Sequence, residues 1–157
     1  MRLYHASPVI VERPDVLHSR ENLDFGRGFY TTSLREQAVS YAERFLRRGE
    51  AAYVNEYELD EDMGGFSIKT FPAYDEEWLE YVALCRKGLP VPARYDAVSG
   101  GIANDRVFNT LDLYFAGIVS KEEALARLKY EKPNLQLCIL NGKMLDLHLH
   151  FIKAEKL

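Results

Sequence analysis

Between Asn22 and Tyr41 the chain reads NLDFGRGFYTTSLREQAVSY and changes its local pattern twice without a linker. No other stretch constrains the fold as strongly. Asp24 to Gly28 (DFGRG) is a glycine-punctuated loop. Phe29 to Thr32 (FYTT) is a short aromatic strand, and from Ser33 the spacing turns helical. Ser33 with Glu36 three residues later has the form of a capping box, in which hydroxyl and carboxylate each satisfy a free N–H of the first turn. Leu34, Ala38, Tyr41, Ala42 and Phe45 then share one helical face. Loop, strand and helix joined this tightly suit a pocket wall, with backbone donors from the loop and flat side chains from rigid elements.

The flanking elements follow from periodicity and punctuation. Arg2 to Ala6 reads as a first strand with Leu3 and His5 on one face and Tyr4 on the other, ended by Ser7-Pro8. The helix from Ser33 runs to about Arg48, with Gly49 as its stop. Ala51 to Leu59 is a strand and Asp60 to Gly65 an acidic turn. Phe66 to Phe71 is a short strand, and Asp75 to Lys87 an amphipathic helix with acids in its first turn. Tyr95 to Gly100 is a strand running into a double glycine. A helix occupies the second half of Ile102 to Gly117, and Ser120 opens another, paired with Glu123 as a capping box. Leu135 to Leu140 is a buried strand. Asn141-Gly142 signals a hairpin, with Met144 to Ile152 as its return strand. The sum is an α+β fold: one domain over residues 1–157, strands first, helices inserted and an antiparallel hairpin to close.

Composition removes several function classes. Twenty basic against twenty-four acidic residues leave a formal charge of −4, which argues against a general nucleic-acid footprint. Cys85 and Cys138 have no metal-ligand spacing and read as reduced core thiols of a cytosolic protein. The start, MRLYHASPVI, is too short and polar for a signal peptide, and no apolar run has transmembrane length.

Each candidate residue has a structural reading beside a functional one. His5 is a pocket hydrogen-bonding group or a satisfied structural histidine. Tyr30 and Tyr41, on adjacent elements, can sandwich a flat heterocycle, though Tyr41 lies on the apolar helix face and equally serves packing. Gly26 and Gly28 let backbone approach a ligand or simply form a tight turn. They precede a strand, so a dinucleotide-fingerprint reading fails on context. Asn104-Asp105 follows the glycine pair and suits a helix N-cap. Gln136 is a polar residue opening an otherwise apolar strand, at a pocket rim. Asp146, His148 and His150 share a strand face that reads as solvated rather than metal-binding.

The order of these residues carries more than any one of them. A first-strand histidine (LYHAS) precedes an aromatic strand after a glycine loop (GFYTT), with a second tyrosine on the following helix and a polar residue opening a late strand (NLQLCIL). This order resembles the ADP-ribosyltransferase superfamily in its diphtheria-toxin and poly-ADP-ribose-polymerase branch. That branch is described by His, Tyr, Tyr and Glu, with ten residues between the tyrosines, as between Tyr30 and Tyr41 here. LYHAS, NLDFGRGFYTT, VNEYELD, YDAVSGGIAND and QLCIL are together similar to a family of small uncharacterised bacterial proteins placed in that superfamily. Such proteins are often encoded beside a small partner of toxin–antitoxin type.

The resemblance implies a split antiparallel β-core with inserted helices, NAD as substrate and a macromolecular or small-molecule acceptor for ADP-ribose. It implies that His5 bonds a ribose of NAD, that the Ala6 backbone pairs with the nicotinamide amide, and that Tyr30 and Tyr41 stack on the nicotinamide ring beside the Gly28 loop. Gln136 stands where the superfamily has its catalytic glutamate. An amide keeps the hydrogen bond to the ribose 2′-hydroxyl but lacks the charge that stabilises the departing cation. Either Asp105 supplies that charge, or the acceptor assists, or the chain binds nucleotide with little or no turnover.

Overall fold

Twelve elements alternate along the chain in the computed structural model, which describes residues 1–157. They are β1 Arg2–Ser7, β2 Phe29–Thr32, α1 Arg35–Arg47, β3 Tyr53–Leu59, β4 Ile68–Thr70, α2 Glu76–Arg86, β5 Ala97–Gly100, α3 Asp105–Phe115, α4 Lys121–Leu128, β6 Gln136–Ile139, α5 Gly142–His148 and β7 Leu149–Lys156. The fold is α+β: a seven-stranded sheet of order β4-β5-β6-β2-β1-β3-β7 with five helices. All pairings are antiparallel except β4 with β5, so the sheet is mixed. No helix is long and apolar enough to cross a membrane.

Strand alternation assigns each helix to a face. Tyr4, Thr32, Gln136 and Gly100 are register partners across β1, β2, β6 and β5, so their side chains share one face, with Tyr30 and Cys138 two residues further along. Over β1 and β3 that face is covered by α1, where Ala38 and Ala42 pack on Ala52 and Val54. Over β2, β5 and β6 it is covered by α2, α3 and α4, through Trp78, Leu79, Val107, Leu111 and Leu128 against Val98 and Cys138. The opposite face carries Leu3, Phe29, Tyr57, Leu137 and Ile139 and is closed by Met144 and Leu145 of α5. Two separate helical layers therefore cover one face, on either side of Thr32 and Gln136.

Three sequence expectations are corrected. Asn141-Gly142 is not a hairpin: the Asn141 side chain accepts from Lys143 N and caps α5, and Leu147 is exposed rather than facing the core. The chain from β6 crosses beneath the sheet in α5, and β7 pairs with β3 at the far edge. Asp146 and His148 thus lie in α5, and only His150 lies in a strand. The Ser33–Glu36 box does not form either. The buried Thr32 hydroxyl takes the Leu34 N–H at 3.1 Å, and α1 begins at Arg35 with no side-chain cap. Finally, Tyr41 leaves the buried face of α1 at 48% exposure, and Ala38 and Ala42, flanked by Val39 and Phe45, make the contact with Ala52 and Val54 instead. The Ser120 cap, by contrast, forms as expected, accepting from Glu123 N at 3.1 Å.

Candidate functional site

The β1–β2 ladder has a single register pair, Tyr4 with Thr32, whereas β1 pairs with β3 along its whole length. Beyond Tyr4 the two strands part, and His5 occupies the parting. Its Nδ1 lies 2.7 Å from the Tyr30 carbonyl oxygen, and its ring packs 4.4 Å from that of Phe29. A carbonyl only accepts, so Nδ1 carries the proton and Nε2 is a free acceptor. Burial pushes the imidazole below its usual pKa, against the opposing pull of the Tyr30 carbonyl, so the ring is neutral at pH 7. Met1 and Leu59 exchange both main-chain bonds, and the alternation of that ladder turns the Ala6 N–H and C=O toward β2, where the ladder has ended.

Tyr30 is held from both ends. Its hydroxyl donates to Gly26 O at 2.6 Å and accepts from Phe25 N at 3.1 Å, and its ring lies nearly parallel to Phe25, 8° and 6.4 Å apart. Burial drives its phenol far above the ordinary tyrosine value, so it is no acid or base at any working pH. Gly28 has another reason to be glycine than ligand approach. A Cβ there lies 2.6 Å from Cys138 Sγ, and its N–H already donates to Ser19 Oγ.

Gln136 opens β6 beside Thr32 and Gly100, half-buried, and its carboxamide has no protein partner. From α1, Gln37 reaches Thr32 Oγ1 at 2.7 Å. Tyr41 lies one turn on along the same flank, its ring exposed under the Arg44 guanidinium at 4.7 Å. The opposite wall is the segment Gly101–Asn104, held by four bonds: Trp78 Nε1 to Gly101 O, Tyr74 hydroxyl to Ile102 O, Ile102 N to Asn134 Oδ1, and Ala103 N to Asp24 Oδ2. Asp24 is 6% exposed and also receives Arg86 Nε at 2.6 Å, with Arg86 stacked over Phe108. Gly101 is buried, and a Cβ there lies 2.6 Å from the Tyr74 ring. Asp105 stands in the first turn of α3, exposed, after Asn104 has capped the helix.

The strand order thus makes neighbours of the elements bearing His5, Tyr30 and Gln136. Gln136 shares its sheet face with Tyr30. His5 belongs by alternation to the other face, where its ring packs on Phe29 and its Nδ1 meets the Tyr30 carbonyl at the parting. Tyr30 and Tyr41 do not stack on each other. Sequence reasoning passed over Thr32, Gln37 and Asp24. The one signal for Asp24 is an acid placed ahead of a glycine loop in a chain with arginines to spare.

A concavity of about 340 Å³ lies between Tyr74, Leu125 and Leu128. Its polar groups are largely engaged: Asp75 caps α2, Glu76 pairs with Lys121 at 2.6 Å and Tyr74 bonds Ile102. The seam, with a free carboxamide at Gln136 and an unpartnered His5 Nε2 on the next strand but one, is the better candidate. A family model described as a protein of unknown function, DUF3990, matches residues 1–151. No curated protein and no solved structure matches the chain.

Proposed function

The chain belongs to the DUF3990 family of unknown function, and we propose that its members of this kind are NAD-dependent ADP-ribosyltransferases acting at the seam between α1 and the Gly101–Asn104 wall. One observation carries the reading. The three strands bearing the superfamily's marker positions are adjacent at the centre of the sheet, in the order β6-β2-β1, and part where the histidine stands. In the reaction the bond between nicotinamide nitrogen and ribose C1′ breaks, and its electron pair neutralises the pyridinium. The acceptor nucleophile then bonds C1′ and gives its proton to solvent.

In this reading His5 Nε2 accepts from a ribose hydroxyl, and the Ala6 main chain pairs with the nicotinamide amide. Tyr30 and Tyr41 bound the ring, with the Gly28 turn beside them. Gln136 holds the 2′-hydroxyl, and Asp105 is the nearest acid in sequence to the wall. Positioning supplies most of the rate, since no carboxylate stands at the Gln136 position. The protein acts in the cytoplasm as the toxin of a toxin–antitoxin pair, restrained by a small partner protein, and its acceptor is a cellular nucleophile.

The test follows released nicotinamide and intact protein mass together, for the native chain, His5→Ala and Tyr41→Ala in the presence of NAD. The expectation is release by the native chain and a loss of tenfold or more in both variants. A mass gain of one ADP-ribose on a macromolecule marks a transferase, and free ADP-ribose alone marks an NAD glycohydrolase. Release unaffected by either substitution removes the site from the seam. The uncharged Gln136 favours one further reading, a nucleotide-binding module. It predicts that NAD raises the melting temperature while no nicotinamide appears.

A further inference from the structure

Thr32 is 4% exposed, and three groups surround its hydroxyl. Leu34 N–H donates to Oγ1 at 3.1 Å, while the Leu135 carbonyl oxygen and Gln37 Oε1 each lie 2.7 Å away. A hydroxyl has one proton and two lone pairs, so it cannot donate to both oxygens. Every group is satisfied when Thr32 donates to Leu135 and accepts from Leu34 and from the Gln37 amide nitrogen. The Gln37 carboxamide is therefore turned with Nε2 toward Thr32. Its carbonyl oxygen then faces away from Thr32, and no protein group meets it.

Gln136 is the register partner of Thr32 on β6, and its carboxamide is free as well. Two carboxamides with unengaged oxygens thus flank one buried hydroxyl. Gln37 is tied down by Thr32 at one end and open at the other, as a preorganised contact requires. We propose that Gln37 is a specificity-determining contact of the seam, accepting the 3′-hydroxyl of the nicotinamide ribose while Gln136 takes the 2′-hydroxyl. This assignment rests on the NAD reading above. Together the two side chains form a neutral clamp for a vicinal diol. Each oxygen accepts one hydroxyl, and neither selects for net charge on the ligand.

Isothermal titration of NAD, and of NAD analogues lacking either the 2′- or the 3′-hydroxyl of the nicotinamide ribose, tests the assignment on the native chain, Gln37→Met and Gln37→Glu. The native chain is expected to bind NAD about tenfold more tightly than either analogue, as one lost hydrogen bond implies. In Gln37→Met the discrimination against the 3′-deoxy analogue disappears while that against the 2′-deoxy analogue persists. Gln37→Glu keeps an acceptor oxygen but has no amide donor for Thr32, so it keeps the discrimination against the 2′-deoxy analogue and weakens that against the 3′-deoxy analogue. Undiminished 3′ discrimination in Gln37→Met overturns the role of Gln37 and leaves the NAD reading standing; undiminished 3′ discrimination in Gln37→Glu overturns the tether through Thr32. No binding of NAD by the native chain overturns both. Gln37→Met with a cooperative melt only a few degrees below that of the native chain, as the loss of one hydrogen bond to Thr32 implies, separates lost contact from lost structure.

Discussion

Gln136 presents a dipole where the proposed reaction develops a full positive charge. A carboxylate about 4 Å from that charge is worth on the order of 4 kcal/mol at an effective dielectric near 20. Gln136→Glu is therefore expected to raise nicotinamide release by a factor of roughly ten to a thousand, read from initial rates at saturating NAD. An unchanged rate in a folded variant places the charge stabilisation elsewhere, Asp105 being the position to change next. Tyr30 allows a cleaner separation of roles. Its hydroxyl ties Phe25 N to Gly26 O, so Tyr30→Phe loses about 1–2 kcal/mol of unfolding free energy in urea while the ring stays against Phe25. Asp24 is the most consequential single side chain outside the seam, because its two oxygens join α2 to the Gly101–Asn104 wall. Removing it strands a guanidinium that is only 19% exposed, and Asp24→Ala is expected to cost about 3–5 kcal/mol by chemical denaturation.

At the level of elements, α2 and α4 were readable because their apolar spacing and end signals agree, and α1 was readable from its spacing and its Gly49 stop but not from its start. Asp75 and Ser120 cap as their spacing implies, accepting from Trp78 N and Glu123 N. The end of the chain misled for a physical reason. LDLHLH alternates as a strand does, but Met144 and Leu145 are adjacent and both buried, a pattern a helix satisfies and a strand with one core face does not. Asn141 distinguishes the two: Asn141→Ala is expected to lose about 1 kcal/mol as a helix cap, measured by thermal melting. The double glycine was legible as a signal but not as a cause, since only the fold reveals the Tyr74 ring against Gly101. Gly101→Ala forces that ring or the wall to move, at a cost of about 1–3 kcal/mol. His5, Tyr30 and Gln136 stand out by order along the chain, and the strand order makes neighbours of the elements that carry them. Thr32 and Gln37 do not stand out, because their meeting depends on the distance between β2 and α1.

For the molecule as a whole, acid acts through a few pinned places. Hydrogen bonds from His148 and then His150 hold Asp60 below its ordinary carboxylate pKa, and Asn141 with Ser67 does the same for Asp96. Asp96 grips the start of α5 and Asp60 its end. A lowered folded pKa means that the unfolded chain binds protons first, so the stability these groups give is complete above the unfolded value of 3.8 and is lost as pH falls below it. His5 adds an earlier loss. Its folded pKa lies below 6.5, and stability declines as pH drops from 6.5 toward that value. Urea midpoints between pH 8 and 5 are expected to fall for the native chain and to stay flatter for His5→Gln. The single pair between β1 and β2 has a further consequence. A sheet of seven strands joined at its middle by one pair is, mechanically, two stiff panels sharing a short spine. Amides along that spine exchange with deuterated solvent sooner than those of β3, locked on both sides by long ladders. A molecule lodged between the panels braces the spine, and the protection it confers on Tyr4, Ala6 and Thr32 registers its presence even when no bond is made or broken.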